Sequence, residues 1–216
     1  MLPRDESFEI TEKSIDKRYS VVIFDLGNTL IRFDHNISAK KLANLFHIDS
    51  EKVRSLFFDS ELTRLFEKGL ISPKDFHAKV AAFLNIKLPF NDFAAIWNDI
   101  FWEDSQSCDI ARRLKPDYKL VLLSNVNRMH YDYVAKKFDI IKIFDEIVLS
   151  FIVGAMKPDK TIFEEAVRKA GVDRSQILYI DDRDDLIKEA NLLGIESIKY
   201  EGAEKLEQDL RKRGIL

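Results

Sequence analysis

Ile23-Phe24-Asp25-Leu26-Gly27-Asn28-Thr29-Leu30 decides how the rest of this chain reads. A short apolar run ends in a carboxylate, and a turn of small residues follows. Buried parallel strands are near-continuously apolar, so an acid inside one is costly. An acid just beyond the carboxyl end of such a strand is well placed, because ligands of open α/β sheets bind there. Working outward, further apolar runs rich in branched residues at 120–123, 146–149, 177–180 and 196–200 read with 21–24 as five buried strands. Helical patterns separate the last four. One covers 129–138, another places Ile162, Phe163, Ala166, Val167 and Ala170 on one stripe, and a third does so with Leu186, Ile187, Ala190 and Leu193. Strands alternating with helices predict an α/β fold with a doubly wound parallel sheet.

The interval between the first two strands breaks that rhythm, because it holds amphipathic helix patterns and no convincing strand. An inserted helical unit over 37–104 is expected, with 19–36 and 105–216 forming the α/β core and 1–18 a polar tail. One inserted helix carries Ala39, Leu42, Ala43 and Phe46, and another Phe93, Ile96, Trp97, Ile100 and Phe101. Ser72-Pro73 opens a third as N-cap and first helical residue, with Asp75 in the first turn and Phe76, Val80, Phe83 and Leu84 as the apolar face. The unit is dense in rings, Phe57, Phe58, Phe66, Phe90 and Trp102 among them. Most read as bundle core, with one or two left to line a cavity facing the sheet.

The 216 residues suffice for one well-buried core plus an accessory unit. Lys and Arg total 34 against 37 Asp and Glu, a formal charge of -3, so the balance favours neither a nucleic-acid partner nor an anionic membrane. A small soluble ligand is the expectation. The single Cys108 cannot form an internal disulfide and suits a reducing, cytoplasmic setting. No stretch reads as a signal peptide or a membrane span. The sequence sets no oligomeric state.

Asp181 and Asp182 follow the fourth strand and should emerge at the same sheet edge as Asp25. Three converging carboxylates repel one another unless a cation sits among them, and an all-oxygen set suits Mg²⁺. Taken alone, Asp181 and Asp182 also read as a helix N-cap and a first-turn acid. Ser124 and Asn125 leave the second strand in the same way, where a hydroxyl and a helix start can donate to phosphate oxygens; a plain turn serine is the alternative. Lys157 precedes Pro158, a natural first helical residue, in a geometry that aims the ammonium at the edge. There it would offset charge building on transferring oxygens. A dinucleotide or P-loop glycine fingerprint is absent. His35, His47, His77 and His130 lack metal-ligand spacing and read as surface or helix residues, with His130 of interest because it lies close after Ser124-Asn125.

These residues resemble the four motifs of the haloacid dehalogenase superfamily of hydrolases. The first reads DLGNT here against the usual DxDGT, the second is Ser124, the third Lys157 and the fourth Asp181-Asp182. The longer context, LSNVNRMH, SFIVGAMKPDKTIFE and YIDDRDDLIKEANLLGI, is similar to the branch containing glucose-1-phosphatase-like enzymes and the phosphatase domains attached to epoxide hydrolases. The helical insert is similar to that family's type 1 cap. The resemblance implies a Mg²⁺-dependent phosphatase acting on a small phosphorylated metabolite, such as a sugar phosphate. It implies Asp25 as nucleophile, Lys157 as charge partner, and Ser124, Asn125 and Lys157 as phosphate-binding residues. Asp25, the Gly27 carbonyl, Asp181 and Asp182 are the implied metal ligands.

Gly27 departs from the pattern, since family phosphatases usually carry there an Asp that serves as general acid and then base. General acid-base assistance is worth ~10²–10⁴ in rate, so a slower enzyme follows unless another group substitutes. Asp34, Asp184 and Asp185 are the candidates, and the sequence does not choose between them. Two other readings stay open at this point: a catalytically weak or silent member that binds phosphorylated ligands or a partner protein, and a haloacid dehalogenase. The acidic pair at 181 and 182 counts against the dehalogenase, whose chemistry needs no metal.

Overall fold

The computed structural model describes residues 18–58 and 60–216, so the expected tail lies outside the described residues except for Arg18. In chain order, β1 (Val21–Phe24) is followed by a short strand β2 (Ile31–Phe33), by α1 (His35–Phe46), α2 (Ser50–Phe58), α3 (Glu61–Glu67), α4 (Pro73–Leu84) and α5 (Phe90–Asn98), and by a second short strand β3 (Phe101–Glu103). The remainder alternates as α6 (Ser105–Leu114), β4 (Lys119–Ser124), α7 (Arg128–Lys137), β5 (Glu146–Leu149), α8 (Ser150–Val153), α9 (Lys160–Ala170), β6 (Ile177–Asp181), α10 (Asp184–Leu192), β7 (Glu196–Lys199) and α11 (Ala203–Lys212). The sheet order is β5-β4-β1-β6-β7, all parallel. This is the doubly wound α/β core that the alternating pattern predicts, with a helical cap inserted after its first strand.

The pleat sorts the strand residues onto two faces. Val22 and Phe24 of β1 join Leu120, Leu122, Leu178 and Ile180 under α6, α7 and α11, while Val21 and Ile23 join Val121, Leu123, Ile177 and Tyr179 under α9 and α10. Both faces are covered, which is why these strands read as unbroken apolar runs rather than as alternating ones. The order of connection reverses on either side of β1: β4 lies on one flank and β6 on the other. A crevice opens at that switch point, beyond the carboxyl end of β1.

The cap has its own core, in which Leu42, Phe57, Phe66, Phe76, Val80, Phe93 and Trp97 are buried together. Ser72 caps α4 by accepting from the Asp75 amide, with Pro73 in the first turn, as the sequence predicts. Three expectations need correction. A pair of strands, β2 and β3, forms an antiparallel ribbon at the neck of the cap, where no strand is expected. Each is only three residues long, too short to display an alternation. The helix through Trp97 stops at Asn98, so Phe101 belongs to β3 rather than to the helix, and Ile100 lies between them. Phe83, placed on the apolar face of α4, is 54% exposed because the cap core ends at Val80 and Leu84. Trp102 is also exposed, on the outer side of the ribbon. Among the described residues no helix is long and apolar enough to cross a membrane.

Candidate active site

Register brings the acids together. Phe24 pairs with Leu122 on one side and Ile180 on the other, so Asp25 stands level with Leu123 and Asp181, and its amide donates to the Ile180 carbonyl at 2.9 Å. Carboxylate oxygens of Asp25, Asp181 and Asp182 lie within 4.8 Å of one another. Asp181 is the last residue of β6, and α10 begins only at Asp184, so neither Asp181 nor Asp182 is the N-cap or first-turn acid of that helix. Those first-turn acids are Asp184 and Asp185.

Lys157 reaches the same point from the loop after α8. Its Nζ donates to Asp25 Oδ1 and to Asp181 Oδ2, each at 2.6 Å, and to the Leu123 carbonyl at 3.2 Å. The Tyr179 hydroxyl completes the arrangement by donating to Asp181. Asp25, Lys157 and Asp181 are all buried. Burial pushes the Asp25 carboxyl up to about 7, Lys157 opposes this, and the Asp181 charge adds to it. Burial works against the Lys157 ammonium, but the charges of Asp25 and Asp181 outweigh it and hold the group above its ordinary value. Asp182 is also raised, by burial and by Asp181. One ammonium for three crowded acids leaves negative charge uncompensated, and the oxygen-only donor set fits a hard divalent cation.

Pro158 is not the first residue of a helix. It follows a cis peptide bond, and α9 starts at Lys160 because Asp159 provides the cap, accepting from the Thr161 amide at 2.9 Å. The Asn125 side chain braces this loop at both ends, donating to the Lys157 carbonyl at 2.9 Å and accepting from the Lys157 amide at 2.8 Å. The Asn125 amide group is thereby committed to placing Lys157. Ser124 is buried beside it, with its hydroxyl only 3.5 Å from the Asn125 carbonyl.

Two cavities adjoin at Gly27, Phe33 and Asn125. The polar one, of about 130 Å³, is walled by Asp25, Asn28, Lys157, Asp181, Asp182 and Arg183. The other, of about 60 Å³, lies between sheet and cap and is walled by Leu26, Phe101, Ser124 and Val126 with His35, Glu67 and His130. Neither is lined by Asp34, Asp184 or Asp185. Asp34 caps α1 through the Asn36 amide, Asp184 pairs with Lys199 at 2.7 Å and Asp185 with Arg183 at 2.6 Å. At Gly27 itself a β-carbon would lie 2.9 Å from Cε1 of Phe33, so the ring occupies the space into which a side chain at 27 would project.

His130 is a helix residue of α7, as read from the sequence, but it is buried rather than at the surface. Its Nε2 donates to the Trp97 carbonyl at 3.2 Å, while Nδ1 accepts from the Asn127 amide group at 2.9 Å. The ring stacks on Trp97 with centroids 4.7 Å apart, joining α7 of the core to α5 of the cap. Burial, with a contribution from His35, keeps His130 well below the ordinary imidazole value, and burial lowers His35 to about 4. Both line the second cavity as neutral rings. Glu67, the last residue of α3, is the residue that sequence reasoning missed altogether. Burial raises its carboxyl to about 7, against a smaller opposing effect of Arg64. Its only signal is that it lies four residues after the buried Thr63 and next to the buried Phe66, on the inward face of a short helix.

Comparison with known proteins places this geometry in context. A family model described as haloacid dehalogenase-like hydrolase matches residues 19–194. A D-ribitol-5-phosphate phosphatase of Bacteroides thetaiotaomicron is 22% identical over 196 residues, covering 88% of this chain and 95% of that protein. A sesquiterpene phosphatase of Aspergillus oryzae is 23% identical over 82% of this chain and 87% of its own length. Among solved structures, a HAD family enzyme of Bacteroides thetaiotaomicron in complex with magnesium and inorganic phosphate superposes with a TM-score of 0.77 at 25% identity, covering 84% of this chain and 93% of that one.

Proposed function

We propose that this chain, which belongs to the haloacid dehalogenase-like hydrolases, is a Mg²⁺-dependent phosphomonoesterase acting on a small sugar or polyol phosphate through an aspartyl-phosphate intermediate. The observation that carries the reading is the Lys157 ammonium held 2.6 Å from both Asp25 and Asp181, with Asp182 close by, at the carboxyl end of the central strand. In this reading residues 37–104 are the cap, and 19–36 with 105–216 the catalytic core. The phosphatase relatives and the small second cavity support a compact phosphorylated substrate.

Asp25, the Gly27 carbonyl and Asp182 would hold Mg²⁺, with Asp181 binding the ion or its waters. Bound there, the ion supplies positive charge that lets an anionic carboxylate approach an anionic phosphoryl group. Asp25 attacks phosphorus, Lys157 and the Ser124 hydroxyl donate to phosphoryl oxygens, and water then releases phosphate. Asn125 keeps Lys157 in place through the two main-chain bonds described above.

Phosphate release from a panel of phosphorylated metabolites with Mg²⁺ tests the reading. Turnover is expected to vanish with EDTA and to fall by more than ~10⁴ in Asp25→Asn. A second reading, binding of phosphorylated ligands or a partner without turnover, draws on Gly27. A panel with no release above the Asp25→Asn background would favour it.

A further inference from the structure

We infer that Glu67, reaching the site from the cap, supplies the proton transfer that the glycine at position 27 cannot. This rests on the phosphatase reading above. Glu67 shares the second cavity with Gly27, Ser124 and Asn125, where the part of a substrate beyond its phosphate must lie if the phosphorus faces Asp25. None of the three carboxylates offered by the sequence takes that place, because Asp34, Asp184 and Asp185 are bound elsewhere, and the Phe33 ring covers Gly27.

The backbone that carries Glu67 rests on a fixed support. The Ser150 hydroxyl, just beyond β5, donates to the Glu67 carbonyl at 2.7 Å while accepting from the Val126 amide at 2.9 Å, which ties the end of α3 to the loop after β4. Two residues on, Gly69 passes so near α8 that a β-carbon there would stand 2.2 Å from the Phe151 carbonyl oxygen. Only a glycine permits that approach, at a φ of +69°. The end of α3 is therefore seated against the core rather than suspended above it.

The surroundings suit an acid that works near neutrality. Among the described residues, Arg64, one turn earlier on α3, acts on the Glu67 charge, Lys68 follows it in the chain, and His35 and His130, both kept neutral, are the other titratable groups that line the cavity. Facing it from the core are uncharged Ser124, Asn125 and Ser150. Burial holds the carboxyl at about 7, so a large share is protonated at the start of the reaction.

The steps balance. As an Asp25 oxygen bonds to phosphorus, the bond from phosphorus to the ester oxygen breaks, and that oxygen takes the Glu67 proton to leave as an alcohol. The Glu67 carboxylate then accepts a proton from water as the water oxygen bonds to phosphorus and the Asp25 oxygen departs. Inorganic phosphate is released, and both side chains return to their starting forms.

The test is Glu67→Gln, which keeps shape and hydrogen-bonding capacity, assayed with Mg²⁺ on ethyl, phenyl and 4-nitrophenyl phosphate. A poor leaving group needs the proton and a good one does not. The variant should lose ~10²–10⁴ in kcat/KM on ethyl phosphate and less than about three-fold on 4-nitrophenyl phosphate, with phenyl phosphate between. Wild-type kcat/KM on ethyl phosphate should fall as pH rises through about 7, a limb absent from the variant. Equal losses on all three esters, or none, would overturn the assignment and mark Glu67 as structural. A wild type that cleaves the nitrophenyl ester but not the ethyl ester would also overturn it. Release from none of the three by the wild type would instead sink the phosphatase reading beneath it.

Discussion

The two adjoining cavities are built on different principles. In the polar one each acting group is the residue at or just past a strand end, or is held by main-chain bonds, as Asn125 holds Lys157. The sheet sets the distances there, and the side chains add only chemistry. In the second cavity the strand-end residues Leu26, Gly27, Ser124, Asn125 and Val126 form one wall, and the others come from β2 and β3, the cap helices and α7, which meet the core through packed rings and one seryl hydroxyl. The lesson is that position is inherited from the backbone throughout the first, whereas in the second the walls from the ribbon, the cap and α7 must be held against the strand ends by packing. In the proposed reaction the nucleophile and the metal ligands belong to the first, and the proton donor and the contacts to the rest of the substrate to the second.

The largest effect expected from attacking that contrast is at Trp97. It is fully buried, stacks on His130 and meets Phe57 edge-on at 4.6 Å. Trp97→Ala should cost about 3–5 kcal/mol of unfolding free energy in a urea titration. The folded fraction should bind Mg²⁺ as the wild type does, because no strand end has moved, while KM for substrate rises. Loss of Mg²⁺ affinity in step with stability would break the comparison, since the polar site would then depend on the cap.

The same division explains what the amino-acid order reveals. Asp25, Ser124, Lys157 and Asp181 are legible because each follows a continuous buried run or sits in a short motif, and the ends of all five core strands lie within one residue of the expected ones. The ribbon is not legible, since Ile31-Arg32-Phe33 and Phe101-Trp102-Glu103 are too short for a period to show and Phe101 extends the spacing of Phe93 and Trp97. Phe83 misleads for a related reason: helical spacing marks a face but not how far the neighbouring core reaches along it. Glu67 escapes because its role depends on where α3 meets α8, a tertiary contact with no local signature. Pro158 illustrates competition between signals, because the Asp159 cap overrides the preference of proline for a first helical turn.

A smaller effect should come from acid. His35 titrates near 4 in the folded protein and near 6.5 when unfolded. Between these values the unfolded chain binds more protons, so this contribution is complete above about 6.5 and is lost as pH falls toward 4. From pH 7 to pH 5 it amounts to about 2 kcal/mol. Asp25 and Glu67 act in the opposite sense, as carboxyls raised to about 7 take up protons in the folded state and add stability as pH falls. The measurement is therefore a difference: without Mg²⁺, wild type should lose about 2 kcal/mol relative to His35→Gln between pH 7 and pH 5. Parallel pH profiles would show that the imidazole between sheet and cap is not held neutral by packing.

The smallest effect sits where the cavities join. Gly27 is outside the left-handed region, so its backbone would accept a side chain; what opposes one is Phe33, whose ring also packs against His35 at 5.2 Å and Phe101 at 6.1 Å. Because the ring is half-buried rather than enclosed, Gly27→Ala should cost only about 1 kcal/mol, the low end for inserting a methyl group into packed space. In Phe33→Ala the same change should cost nothing, giving a coupling of about 1 kcal/mol in a double-mutant cycle. That coupling would place the contact with the ring, rather than backbone strain, at the point where polar chemistry gives way to cap packing. Strict additivity would instead mean that the ring swings freely, and the wall between the two cavities would then be soft enough for a carboxylate at 27 to be accommodated without further change.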